Sequence, residues 1–338
     1  MRKIIAIIVL AFVLIASILF YQYSSRSDDA STLVVYSGRS EALIGPLLKQ
    51  FERDSGISLD VRYNSTAPLA TQILQEGDNT PADVVFFQES GYLDLLAEET
   101  LLLPLDPSLL EQVDVRYRDD EGYWIGTSAR LRVLAYNTDL LTPEQLPETL
   151  QDLADEQWRD KIGWALSNAS TQAHLSALRE LWGEEALTEW LLAIKANQPK
   201  RYASNAQILN AVANQEIAIG WLNHYYLYRL KQQRPDLAVA NYDFPAQGQA
   251  GNLMISAGAG ILASTEKADL AQQFIAYLIA APGQTYFTEE DFEYPTQSGF
   301  PVNTALPSLD DISLTEVPQS VLVDVVPTIQ LLESLKLF

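Results

Sequence analysis

Apolar and polar positions along this chain change period repeatedly, and each change marks an element. "TLVVYSG" (32–38) is a short apolar run closed by glycine and reads as a buried strand. "SEALIGPLLKQFERDSG" follows, with Leu43, Leu47, Leu48 and Phe51 spaced along one helical face. "ISLDVRYN" alternates like a half-buried strand, and "APLATQILQEG" is a second helix closed by Gly77. "ADVVFF" (82–87) is another buried strand, and a helix follows from about Ser90. This order predicts an α/β fold with a mainly parallel sheet and helices on both faces. Ligands of such sheets bind at the carboxyl ends of strands, beside helix N-termini, which singles out loops 37–40, 63–67 and 88–91.

A strand pattern, "ARLRVLAYNT" (129–138), separates this series from a second one. The second series comprises "IGWALS", a helix from about Thr171, an amphipathic helix over 184–196, "KRYASN", the helix "AQILNAVANQ" and the strand "EIAIGWLN". "LMISAGAGILAST" (253–265) then reads as a returning strand and "KADLAQQFIAYLIAA" as a helix. Crossings near 129–138 and 243–255 predict two lobes joined by extended segments. Residues 31–130 and 243–295 would form the first lobe, and 131–242 with 296–338 the second. A cleft between such lobes is the expected ligand site.

The first thirty residues follow a different pattern. Arg2 and Lys3 precede an almost wholly apolar run of about nineteen residues from Ile4, and the polar "SSRSDDAS" follows as a spacer. That length suits either a signal peptide or an uncleaved transmembrane anchor, and basic residues ahead of the run predict export of the remainder. The working part is therefore expected in the periplasm or another extracytoplasmic space.

Composition narrows the chemistry. The 338 residues accommodate two domains of ordinary size. A formal charge of −22 argues against nucleic acid as a partner, because phosphate neutralisation needs a basic face. With no cysteine there is no disulfide, no thiolate nucleophile and no cysteine-based zinc or iron–sulfur site. His174 and His224 are the only histidines and lie far apart, which leaves little for a histidine-based site. No P-loop, HExxH or GxSxG is present, and the glycine-rich "SAGAG" sits inside a strand-like run rather than opening a helix. An enzyme is not expected.

One stretch resists a purely structural reading. "GWLNHYYLYRL" (220–230) carries adjacent phenols, Tyr225 and Tyr226. Neighbouring side chains in a regular helix point about 100° apart, so two successive tyrosines do not share a buried face within one.

The blocks "LVVYSGRSEALIGPLLKQFERDSGISLDVRY", "EGDNTPADVVFF", "ARLRVLAYNT", "KIGWALSNAS", "RYASNAQILNAVANQEIAIGWLNHYYLYRL", "SAGAGILAST" and "FEYP" run in the order found in a known family. Over about Thr32 to Pro301 the chain resembles the ferric-iron-binding, transferrin-like substrate-binding proteins of ABC transporters. The resemblance implies the two-lobed type II periplasmic binding fold, Fe³⁺ as cargo, a permease in the inner membrane as partner, and a monomer. It also implies that Tyr225 and Tyr226 bind Fe³⁺ as phenolates, which fits a hard cation that prefers anionic oxygen. A phenol with pKa about 10 is a poor anion at neutral pH, but a trivalent ion beside it reverses that logic. If the pair opens a helix at the end of "EIAIGWLN", the backbone is not yet regular and both rings can turn to one cleft. Tyr228 is read as packing.

This sequence departs from the family pattern at three ligand positions. Ser40 stands where a histidine ligand falls, Gln88 where a glutamate falls, and Trp164 where some members have a further tyrosine. Two phenolates cannot fill an octahedral shell. A synergistic anion, with carbonate as the expected one, would complete it together with waters or an oxygen of Glu41, Gln88 or Glu89. Arg130 matches the arginine that holds the anion, and its fork suits a bidentate oxyanion. Arg39 in "SGRS" is a second donor candidate, and backbone N–H groups around Asn168–Ser170 would add donors at a helix start. Asn205 and Asn223 match anion-lining positions, while His224 is at most a neighbour of the ligands and His174 is packing or surface. The rival reading keeps the fold and changes the cargo to an oxyanion or small organic solute held by Arg39, Arg130, Ser37 and Ser40.

Overall fold

A computed structural model describes residues 31–245, 250–315 and 317–338. Eleven strands are present among them: β1 (Thr32–Ser37), β2 (Ser58–Tyr63), β3 (Val84–Phe87), β4 (Leu102–Leu103), β5 (Trp124–Asn137), β6 (Ile162–Trp164), β7 (Lys200–Arg201), β8 (Ile219–Asn223), β9 (Val239–Tyr242), β10 (Met254–Leu262) and β11 (Tyr294–Pro295). They lie in the order β2-β1-β3-β10-β5-β8-β6-β7, with β4 on β10 and with β9 and β11 on β5. β1 pairs parallel with β2 and β3, and β6 pairs parallel with β7 and β8. The two parallel groups are joined through antiparallel β10 and β5.

The helices stand where the apolar periodicity placed them. Glu41–Ser55 buries Ile44, Leu47, Leu48 and Phe51 and ends at Gly56, whose φ of 73° provides the left-handed C-terminal turn. Phe51 then meets Phe274 of Ala268–Ile279 edge-on at 5.0 Å between ring centres, closing the first core. A second core gathers around Trp158, Trp190 and Trp221, covered by Ala169–Trp182 and Glu184–Ala196.

β5 decides the architecture. Its lower half pairs with β10 as far as Leu131 opposite Met254, and its upper half pairs with β8 from Arg132 opposite Asn223. One continuous strand thus passes from one group to the other, and all fourteen of its residues are buried. It starts at Trp124 rather than at Ala129, because pairing with β10 recruits Gly126, Thr127 and Ser128, whose side chains give no apolar signal. The return crossing runs between β9 and β10 and includes residues 246–249, which lie outside the described residues.

The C-terminal chain visits both sides. Gln297 bridges to Val113 and Thr296 Oγ1 donates to the Gly126 carbonyl, whereas Val325–Ser334 packs on Ala169–Trp182 with Ser176 Oγ and Thr328 Oγ1 2.8 Å apart. Residues 1–30, where a signal peptide or anchor is expected, lie outside the described residues. Among the described residues no helix is long and apolar enough to cross a membrane.

Candidate metal centre

β8 is buried along its length, and the helix Tyr225–Gln233 starts one residue beyond it. His224 already has helical angles, φ −56° and ψ −41°, so strand becomes helix with no intervening loop. Tyr225 and Tyr226 therefore fall in the first turn. Their rings lie stacked, 4.5 Å apart at 22°, and both line the same cleft. The two phenol rings thus reach one cleft, although their residues are neighbours.

Both rings line a cleft of about 240 Å³. Ser40, Thr66, Gln88 and Glu89 face them from the carboxyl ends of β1 and β3 and the start of the Thr66–Glu76 helix, while Asn168, Ser170 and Asn223 stand on the tyrosine side. A larger cavity of about 510 Å³ lies elsewhere, around Asp94, Trp124 and Pro318. We take the smaller cleft as the site because two stacked phenols, a carboxylate and a helix N-terminus meet there, which matters more than size. Among the described residues no three His, Cys, Asp or Glu side chains group as a metal site, so at this cleft the phenols and Glu89 are the groups able to give anionic oxygen.

Burial pushes the Tyr225 phenol well above its usual range, with Tyr226 and Glu293 adding to the effect. Without metal Tyr225 is accordingly neutral, and only a strong cation would displace its proton.

The predicted residues divide into those the fold brings together and those it does not. Gln88 lines the cleft, and its buried Oε1 has no hydrogen-bond partner. Glu89 also lines it, but one carboxylate oxygen accepts from Arg130 Nη2 at 3.0 Å. Arg130 Nη1 donates to the Gln88 carbonyl at 2.6 Å. Arg130 thus clamps the loop that presents Gln88 and Glu89, and its charge is already met by a carboxylate. Asn168 caps the helix Ala169–Trp182 by accepting from the Ser170 N–H at 3.1 Å, and Ser170 Oγ accepts from Asn223 Nδ2 at 3.3 Å.

Three of the expected residues are not among those lining the cleft. Arg39 is fully buried and is not among the cleft-lining residues: it donates to Ser128 Oγ at 2.7 Å and to Glu293 at 2.8 Å, with Asp291 3.5 Å away. Glu293 already neutralises it, so it has little charge left to attract an anion. Burial acts to raise Glu293, but Arg39 and Arg130 outweigh it and hold the carboxyl below its ordinary value. Asp291 is pushed up to about 8 by burial and by Glu293 beside it. Glu41 is exposed at the first turn of its helix, and Asn205 is buried away from the cleft lining, with neither side-chain atom hydrogen-bonded. Trp164 and His174 are core residues, the latter packed 4.7 Å from the Trp221 ring, and Tyr228 stacks on Phe292 at 5.7 Å.

Sequence reasoning missed Arg132. It is fully buried and lies 5.1 Å from the Trp221 ring centre, and no carboxylate of the described residues is within ion-pair distance. It donates to Asn223 Oδ1 at 2.9 Å and to Thr171 Oγ1 at 3.3 Å, directly behind the cleft lining. Burial draws its pKa down to about 9, against the pull of Tyr226 and Tyr225. A signal existed in the sequence: in "ARLRV" two arginines alternate on one face of a strand, yet only the first was singled out.

Residues 79–313 match the family described as bacterial extracellular solute-binding protein. The chain is 33% identical over 308 residues to the Fe(3+)-binding periplasmic protein of Serratia marcescens, with 90% of each covered. It is 29% identical over 302 residues to the major ferric iron-binding protein of Neisseria meningitidis, covering 88% of this chain and 89% of the other. The crystal structure of iron-bound HitA from Pseudomonas aeruginosa superposes with a TM-score of 0.84 at 31% identity, covering 90% of this chain and 98% of the other.

Proposed function

Because the chain belongs to the family of bacterial extracellular solute-binding proteins, with the two-lobed binding fold, we propose that it captures ferric iron outside the cytoplasm and hands it to an ABC permease. Relatives named for ferric binding support the cargo. The observation that carries the reading is the stacked tyrosine pair, with both rings lining the cleft.

In this reading Fe³⁺ displaces both phenolic protons and is bound by Tyr225 and Tyr226. Gln88 Oε1, unpartnered in the cleft, and Glu89 are the side-chain oxygens within the same lining. The anion that completes the shell, carbonate being the expected one, is attracted by Arg132 rather than by Arg130 or Arg39, since Arg132 alone of the three lacks a carboxylate. Asn223, Ser170 and the helix start behind Asn168 supply neutral donors. We place the lobe boundary in β5 at Leu131–Arg132, where its partner changes, and closure would bring Gln88 and Glu89 onto the metal.

The test starts from metal-free protein titrated with ferric iron as a weak chelate, with and without bicarbonate, while the visible spectrum is followed. A saturable phenolate-to-iron charge-transfer band at one equivalent is expected. The double variant Tyr225→Phe/Tyr226→Phe should fold and give no band; a band like that of the parent overturns the assignment. The second reading, an oxyanion or small organic solute as cargo, is favoured by the unpaired Arg132. Thermal stabilisation by an oxyanion without iron, and no band with it, would select that reading.

A further inference from the structure

The switch from β8 to the tyrosine helix depends on an unusual hydrogen bond. β5 and β8 are antiparallel with Arg132 opposite Asn223, so the next pair along is Leu131 with His224. The first bond of that pair is regular, from the His224 N–H to the Leu131 carbonyl at 2.9 Å. In a regular ladder the Leu131 N–H would return the bond to the His224 carbonyl. Here it donates instead to His224 Nδ1 at 3.0 Å. The His224 carbonyl is thereby freed: it accepts from the Leu227 N–H at 3.3 Å, starting the helix, and from Asn241 Nδ2 at 2.9 Å.

We propose that His224 is the positioning residue of the tyrosine pair, its imidazole taking the last bond of the β5–β8 ladder so that the backbone can become helical one residue before Tyr225. This rests on the ferric-site reading above. If the carbonyl of residue 224 had to close the ladder, the strand would continue, and successive side chains at 225 and 226 would point to opposite faces. Both phenols face one cleft only because helical angles begin at 224.

The ring is built into this role on every side. With Nδ1 accepting from an N–H, the ring proton sits on Nε2, which donates to the Phe292 carbonyl at 2.7 Å. Phe292 has a positive φ of 56°, unusual for a bulky residue, and its ring stacks on Tyr228. Arg229 holds the same turn through Asp291 at 3.1 Å. His224 itself is 2% exposed and packs against Tyr225, Tyr228 and Tyr294.

The test compares three substitutions in the whole protein. His224→Asn keeps an acceptor near the position of Nδ1 and loses the reach to Phe292. His224→Leu keeps bulk without any acceptor. His224→Gln carries its amide one carbon further out, where it serves Phe292 and not Leu131. Amide hydrogen exchange at Leu131 reports the bond directly, and ferric titration reports the site. Asn is expected to keep Leu131 protected and to give the parent charge-transfer band. Leu and Gln are expected to lose the protection, to give about half the band or less per bound iron, and to bind iron about tenfold more weakly.

A folded Leu variant with the parent band and affinity overturns the proposal, and so does an Asn variant as impaired as Leu. Should Leu not fold, Gln decides in the same way. If the parent protein itself shows no band, the ferric reading fails; exchange protection at Leu131, with near-ultraviolet circular dichroism of the stacked tyrosines, still decides whether the imidazole sets their geometry.

Discussion

Arg132→Met is the most informative single change, because the structure gives opposite signs for stability and for function. The guanidinium is fully buried with no carboxylate of the described residues in ion-pair range, and burial lowers its pKa from 12.5 to about 9. At about 1.4 kcal/mol per pH unit, that gap makes the charged side chain cost the metal-free fold about 5 kcal/mol at neutral pH. A base whose folded pKa lies below its unfolded value destabilises at every pH below the folded one, so the cost is fully present at pH 7. Against it stand the bonds to Asn223 and Thr171 and the penalty of leaving Asn223 Oδ1 without a donor, together about 3–4 kcal/mol. Methionine fills the space against Trp221 with no charge. The metal-free variant should therefore be about 1–2 kcal/mol more stable than the parent, as seen when other buried charges are replaced by apolar residues. Urea unfolding at pH 7 measures this as a raised midpoint at unchanged slope. Ferric titration of the same variant should show weaker binding that no longer responds to bicarbonate. A variant more than about 2 kcal/mol less stable than the parent, or one that keeps its bicarbonate response, would refute the reasoning, since Arg132 would then be a structural cation and not a waiting anion site.

Two further expectations follow from the buried charges. Glu293→Gln removes the carboxylate that neutralises Arg39 and should cost about 3–5 kcal/mol in urea unfolding, the reverse of Arg132→Met; a change under about 1 kcal/mol would mean Asp291 alone suffices. His174 is fully buried and neutral, with its pKa lowered to about 3 by burial and by Arg132. Its folded pKa lies below the unfolded 6.5, so its stabilising contribution is complete above pH 6.5 and falls away as pH drops toward 3. Between pH 7 and 4.5 His174→Gln should therefore lose about 2–3 kcal/mol less stability than the parent, and parallel pH profiles would show that the ring is protonated equally in both states.

Much of this protein was legible in its sequence. Apolar periodicity located the Glu41–Ser55 and Glu184–Ala196 helices and the buried strands β1, β3 and β10, because burial of one face leaves a period that survives without knowledge of the partner. The tyrosine pair was legible too, as two phenols that no ordinary helix would bury together. Pairing between distant segments left no such trace. Trp124 to Ser128 became strand only because β10 lies beside them, and β5 became the bridge between lobes only because β8 takes over where β10 ends. The same holds for charge. Arg39, Arg130 and Arg132 look alike in a sequence, and their roles depend on which carboxylates fold against them: Glu293 and Asp291 beside Arg39, Glu89 beside Arg130, and none of the described residues' carboxylates beside Arg132. A local pattern records which face of an element is buried. Whether a buried cation is already neutralised depends on residues up to 254 positions away, and only the tertiary structure brings them within reach.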